Sequence, residues 1–151
     1  MMEIDAIDRK ILAALEADGR ISIVDLAARV GLSATPCQRR LKRLEAEGVI
    51  RGYAARIDPT VLGRGLQAFI LVNLSDHAED TVAAFHRAVA ERAEVAAAYI
   101  LSGEFDYLLH VMVPNLEAFS GFALKTLLRM PGVRDTRSTF VMAELKAPRV
   151  S

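Results

Sequence analysis

Apolar positions recur at helical spacing in the first third of the chain and largely at strand spacing afterwards. Ile7, Ile11, Ala14 and Leu15 share one side of a helix that Asp5-Ala-Ile-Asp8 opens and Asp18-Gly19 closes. Leu26, Ala27 and Val30 mark a second helix, with Ser22 as its cap, Asp25 in its first turn and Gly31 as a left-handed stop. Cys37, Leu41 and Leu44 recur at i, i+4 and i+7 and predict a third helix over Thr35–Ala46. Ser33 or Thr35 can cap it, and Pro36 falls in its first turn, where a missing N–H costs little. In Gly48–Ile57, Tyr53, Ala55 and Ile57 alternate as in a half-buried strand, so two short wing strands are expected there.

The short turn Gly31-Leu32-Ser33 joins the second and third helices into a helix-turn-helix, whose last helix would lie in a major groove. At about 100° per residue, Thr35, Gln38, Arg39 and Lys42 point away from its apolar stripe, with Arg43 at the edge. Cations on a helix are usually a solvated face; the position in a helix-turn-helix is what turns them into a DNA surface. The candidate DNA-binding residues are Ser33, Thr35, Pro36, Gln38, Arg39, Arg40, Lys42, Arg43 and Arg51, with Arg56 also able to reach a phosphate from the wing.

Asp58-Pro59 breaks the pattern, and residues 58–65, with Gly63 and Gly65, read as a connector. A strand over Leu66–Leu74 follows, then Asp76-His-Ala-Glu79 as a capping box for a helix carrying Val82, Phe85 and Val89. Strands over Val95–Leu101 and Phe105–Val113 flank the turn Ser102-Gly103-Glu104. Pro114 ends the third strand. Asn115 caps a helix with Phe119, Phe122, Ala123 and Leu127 inward, and Val133–Leu145 contains the last strand. The order βαββαβ is the ferredoxin-like arrangement, which leaves one apolar sheet face without a helix. Such a face is usually buried against a second copy, so a homodimer is expected. The fold class is therefore α+β: a winged helix-turn-helix over 1–57, a linker over 58–65 and a ferredoxin-like domain over 66–151.

Composition narrows the classes. No apolar run approaches the roughly 20 residues of a membrane span, and the N-terminus has neither a basic region nor an apolar core of a secretory signal. One cysteine excludes an intramolecular disulfide and a multi-cysteine metal site. A cytoplasmic protein with no metal and no cofactor is expected. Lys plus Arg number 19 and Asp plus Glu 19, so the whole chain is neutral. Residues 38–56 nevertheless hold six cations against Glu45 and Glu47, a local basic footprint suited to a DNA binder that gains strength by self-association. Cys37 reads as a small core hydrophobe. His77, His86 and His110 have no ligand spacing.

Taken together, Asp5-x-x-Asp8-x-x-Ile11-Leu12, Arg20-Ile-Ser22, Leu26-Ala27, Gly31-Leu-Ser33, Arg40-x-x-Arg43-Leu44-Glu45, Gly48-Val-Ile50 and Gly52-Tyr53 resemble the Lrp/AsnC (feast/famine) transcription regulators. Ser102-Gly103-Glu-Phe-Asp106-Tyr-Leu-Leu109, Leu128-Arg-Met-Pro-Gly-Val133 and Asp135-Thr-Arg137 extend the likeness across nearly the whole chain, towards the leucine-responsive branch. The resemblance implies a C-terminal domain for regulation of amino acid metabolism and dimers that assemble into octamers or related discs. It implies an amino-acid effector bound between dimers, leucine being the leading candidate. The implied effector residues are Leu101, Ser102, Gly103, Glu104, Phe105, Asp106, Tyr107, Thr136, Arg137, Ser138 and Thr139, with Ile100 and Leu116 as an apolar flank. On residue physics alone Gly103-x-x-Asp106 reads as a β-hairpin turn; the resemblance is what gives it an effector role. The chain ends at Ser151, so any longer family tail is expected to be absent.

Three other functions share part of this pattern. A ligand-independent architectural protein would share the DNA surface without the effector. A haem-precursor decarboxylase-like relative would need catalytic groups, and no nucleophile–base pair, phosphate loop or metal cluster is visible. An RNA-binding ferredoxin-like sheet would need paired aromatic strand motifs, which are missing. The expected activity is that of a sequence-specific, DNA-binding transcriptional regulator of amino-acid metabolism genes, not an enzyme.

Overall fold

The computed structural model describes residues 3–146. The end of the domain expected over 66–151 therefore lies outside the described residues, as does the first residue pair of the N-terminal one. The chain divides into two compact units, one ending at Arg56 and the other spanning Ile57–Lys146.

The first unit is three helices: α1 (Ala6–Ala17), α2 (Ile23–Val30) and α3 (Ala34–Ala46). Asp5 and Asp8 form a full capping box on α1: the Asp5 carboxylate accepts from Ile7 and Asp8 N–H, and Asp8 accepts from Asp5 N–H. Ser22 Oγ accepts from Asp25 N–H to start α2, and Gly31 ends it at φ 77° in the left-handed region. Ile11, Leu26, Ala27, Val30, Cys37 and Leu44 make the core, each of the larger side chains contributing about 1.5–3 kcal/mol by leaving water. Burial pushes the Cys37 thiol pKa up, which suits a packing residue.

The expected wing strands are not formed. Residues 51–58 carry no regular structure, and Tyr53 and Ile57 are more than half exposed. Leu44 C=O accepts from both Val49 and Ile50 N–H, so the chain folds back over the end of α3 there. A strand's alternation is stabilised only by a neighbouring ladder, and none of the described residues pairs with this stretch.

The second unit contains β1 (Leu66–Leu74), α4 (Glu79–Ala90), β2 (Val95–Ile100), β3 (Tyr107–Val113), α5 (Leu116–Gly121) and β4 (Val133–Phe140). The four strands form one antiparallel sheet in the order β2-β3-β1-β4, the ferredoxin-like order. Ala68, Ile70, Val72 and Leu74 of β1, with Tyr107, Leu109, Val111 and Val113 of β3, face Phe85, Val89, Phe119, Phe122 and Leu127. After α5 the chain loosens through a π turn (Phe122–Thr126) and a 3₁₀ turn (Leu127–Arg129), which keeps Phe122 and Leu127 inward. The capping box expected at Asp76–Glu79 is not made. Asp76 instead accepts from Ala78 N–H, closing a local turn, and α4 starts at Glu79 with no side-chain cap.

The opposite sheet face carries Phe69 and Leu71 of β1, Leu108, His110 and Met112 of β3, and Tyr99 of β2. No described helix covers it. Phe69 stacks on His110 at 4.8 Å and stays 39% exposed, and Tyr99 is 55% exposed.

Candidate nucleic-acid interface and ligand turn

On α3, Cys37 and Leu44 are fully buried and Leu41 partly so, which fixes the outward side. Ser33, Thr35, Gln38, Arg39 and Lys42 are exposed, as the spacing requires. Ser33 is the N-cap by backbone only, so its hydroxyl is not used within the helix end. Pro36 sits half-buried in the first turn. Arg51 is exposed in the irregular stretch after the helix.

Arg40 and Arg43 depart from the free face drawn for them. Arg40 Nη1 donates to Asp5 Oδ2 at 2.6 Å and to Asp8 Oδ1 at 2.9 Å; Arg43 Nη2 donates to Asp8 Oδ2 at 2.6 Å. The Asp8 side chain is 0% exposed. Asp5 is held down to a pKa of about 2, first by Asp8 N–H and then by Arg40. These two guanidiniums tie α3 to α1. With Arg39 they edge a shallow cleft of about 240 Å³.

The turn expected to meet the effector joins β2 to β3 and is closed by Leu101 N–H donating to Asp106 C=O at 2.8 Å. Gly103 has φ 132°, a region closed to most side chains, and a Cβ there would meet nothing, so the demand for glycine is conformational. Ser102, Gly103 and Glu104 are exposed; Leu101 and Phe105 are half-buried. Asp106 is committed internally. Its Oδ2 accepts from Leu74 N–H at 2.8 Å, its Oδ1 lies 2.9 Å from His77 Nε2, and its own N–H donates to Val72 C=O and Asn73 Oδ1. The Leu74 N–H first, then His77, holds its carboxyl below the usual range. Asp106 thus anchors the turn to the end of β1.

On β4 the four expected residues alternate in direction. Arg137 and Thr139 lie opposite Leu71 and Phe69 on the uncovered face, whereas Thr136 and Ser138 lie opposite Val72 and Ile70 on the helix face. Arg137 reaches the turn, its guanidinium 5.1 Å from the Phe105 ring centre. Tyr107 is set apart from the turn: it is buried, its hydroxyl 3.0 Å from His86 Nε2, in a cleft of about 290 Å³ with Phe85 and Ile100.

Two positions in this network were missed in the sequence. Asn73 is 92% enclosed; its Oδ1 accepts from Asp106 N–H and its Nδ2 donates to Asp135 Oδ1. The signal was an amide within the apolar run Leu66–Leu74, where strand preference gives no reason for it. His77 sits in what reads as a capping segment, so only the fold brings it to Asp106.

Two family models match the chain. The winged helix-turn-helix DNA-binding model matches residues 4–51, and the Lrp/AsnC ligand binding domain model matches residues 67–150. The chain belongs to the Lrp/AsnC family. It is similar to the leucine-responsive regulatory protein of Escherichia coli K12, at 46% identity over 144 residues covering 95% of this chain and 88% of that protein. It is similar to a Neisseria meningitidis transcriptional regulator solved as an L-methionine complex, at 44% identity and TM-score 0.92, covering 96% and 94% of the two chains. A Mycobacterium tuberculosis feast or famine regulatory protein complexed with L-methionine matches at 34% identity and TM-score 0.85, over 99% of each chain. This Lrp/AsnC protein is therefore a DNA-binding transcriptional regulator modulated by an amino acid, and its relatives are regulators, not enzymes. No helix among the described residues is long and apolar enough to cross a membrane.

Proposed function

We propose that this regulator reads duplex DNA with Ser33, Thr35, Gln38, Arg39 and Lys42 in the major groove, with Pro36 shaping the first turn and Arg51 reaching a phosphate. One observation carries the reading: on α3 the polar side chains not bonded elsewhere among the described residues are those on its outward side. Arg40 and Arg43 serve the fold in this reading. Arg39→Ala should weaken binding to a duplex selected by the wild-type protein by about tenfold or more, the scale of one bidentate base contact, with the oligomer intact. Anisotropy titration at fixed salt measures it, and an unchanged affinity would remove Arg39 from the interface.

The effector in this reading is an apolar amino acid, methionine or leucine. L-methionine is bound to two structural neighbours, and leucine gives its name to the relatives at 46% identity. Exposed backbone around Gly103 and Ser102 suits a carboxylate, and exposed Glu104 suits an α-ammonium. Leu101, Phe105, Ile100 and Leu116 supply apolar surface, while Asp106 and Asn73 hold the turn in shape and Arg137 braces Phe105. Tyr107, Thr136, Ser138 and Thr139 support the surrounding strands. We infer that the uncovered sheet face pairs with a second copy, that dimers assemble further, and that the effector sits between dimers and shifts that assembly. Such a regulator works in the cytoplasm, beside the genes it controls, and leucine or methionine supply would set the expression of amino-acid metabolism genes.

A further inference from the structure

We propose that Asp8 is a specificity-determining positioning residue: it withholds Arg40 and Arg43 from the DNA backbone and fixes the pose of the reading helix. The proposal rests on the reading of α3 as the groove helix. Asp8 belongs to the capping box of α1, but of its side-chain bonds that role uses only the one from Asp5 N–H, at 3.3 Å the longest that its carboxylate accepts. The shorter bonds, at 2.9 and 2.6 Å, go to Arg40 and Arg43 on α3. Those arginines are three residues apart, one turn of helix, so a single enclosed carboxylate grips α3 at two points along its length. Two such points limit both sliding and rolling of α3 on α1.

The chemistry decides what this does. Guanidiniums on phosphates add affinity that is blind to sequence, whereas base edges are read by side chains held in register. With Asp8 in place, two of the four cations on α3 are tied back, and Arg39 and Lys42 remain outward. Removing the Asp8 charge frees Arg43 beside the groove, leaves Arg40 held by Asp5 alone, and loosens the helix that must read it. Simple electrostatics predicts tighter binding to every duplex. The positioning role predicts in addition that discrimination falls.

The test uses the full chain and two duplexes of equal length, one selected from a random library by the wild-type protein and one scrambled. Asp8→Asn should bind the scrambled duplex more tightly, with a log K against log salt slope steeper by about one, from the released Arg43. The ratio of selected to scrambled affinity should fall about tenfold or more. An unchanged ratio or an unchanged slope would overturn the proposal. Should Asp8→Asn fail to fold, Arg43→Gln decides: it should leave the scrambled-duplex slope at the wild-type value, whereas Arg39→Gln lowers it by about one. An Arg43→Gln slope reduced like that of Arg39→Gln would overturn the role of Asp8 alone. Arg39→Gln and Lys42→Gln both binding like wild type would instead remove the reading of α3, and the role of Asp8 with it.

Discussion

Asp5 shows how one carboxylate couples helix start, ion pair and pH. Its pKa falls from an ordinary 3.8 to about 2, so between those values the unfolded chain binds more protons than the folded one. Its contribution is complete above about pH 4 and is lost as pH falls towards 2. Asp5→Asn keeps a capping side chain but not the charge. The melting-temperature difference between wild type and this variant should be constant above about pH 4 and shrink below it; a difference independent of pH would contradict the account. At this scale the sequence was legible where a residue's role is local. The caps Asp5, Ser22 and Asn115 and the stop Gly31 depend only on nearby residues, and all are found. It was illegible where partners lie far along the chain. Arg40 and Arg43 meet Asp8 across more than 30 residues, and Asn73 and His77 meet Asp106 at similar separations.

Elements were readable when their partners lie within the same chain. β1 and α2 begin and end where their patterns do, because a sheet neighbour or a helix core rewards each apolar position. The wing failed for the converse reason: Tyr53, Ala55 and Ile57 alternate correctly, but no described strand pairs with them. At Asp76 two local options competed, and a turn on Ala78 N–H won over a helix cap. For α2, eight residues long and so dependent on its ends, the Ser22 cap matters. Ser22→Ala leaves Asp25 N–H without its partner and should cost about 1 kcal/mol, read as a lower denaturant midpoint at unchanged slope. A midpoint equal to wild type would show that solvent satisfies that donor equally well.

For the whole molecule, the features that matter are an uncommitted basic helix face in one unit and a bare sheet face and anchored turn in the other. Phe69, Leu71, Leu108 and Met112 on that sheet face are the basis for the proposed self-association. Met112→Glu, which places a charge on this face, should shift the protein towards monomer by light scattering; a mass equal to wild type would exclude this face as the interface. The central claim is that an apolar amino acid controls how tightly this protein holds DNA. Its most direct test is the affinity of this protein for its selected duplex, measured by anisotropy at fixed salt while L-methionine or L-leucine is titrated in. The account predicts a change of about fivefold or more with at least one of them, within the usual range of allosteric coupling; an affinity that stays constant through all twenty amino acids would contradict it.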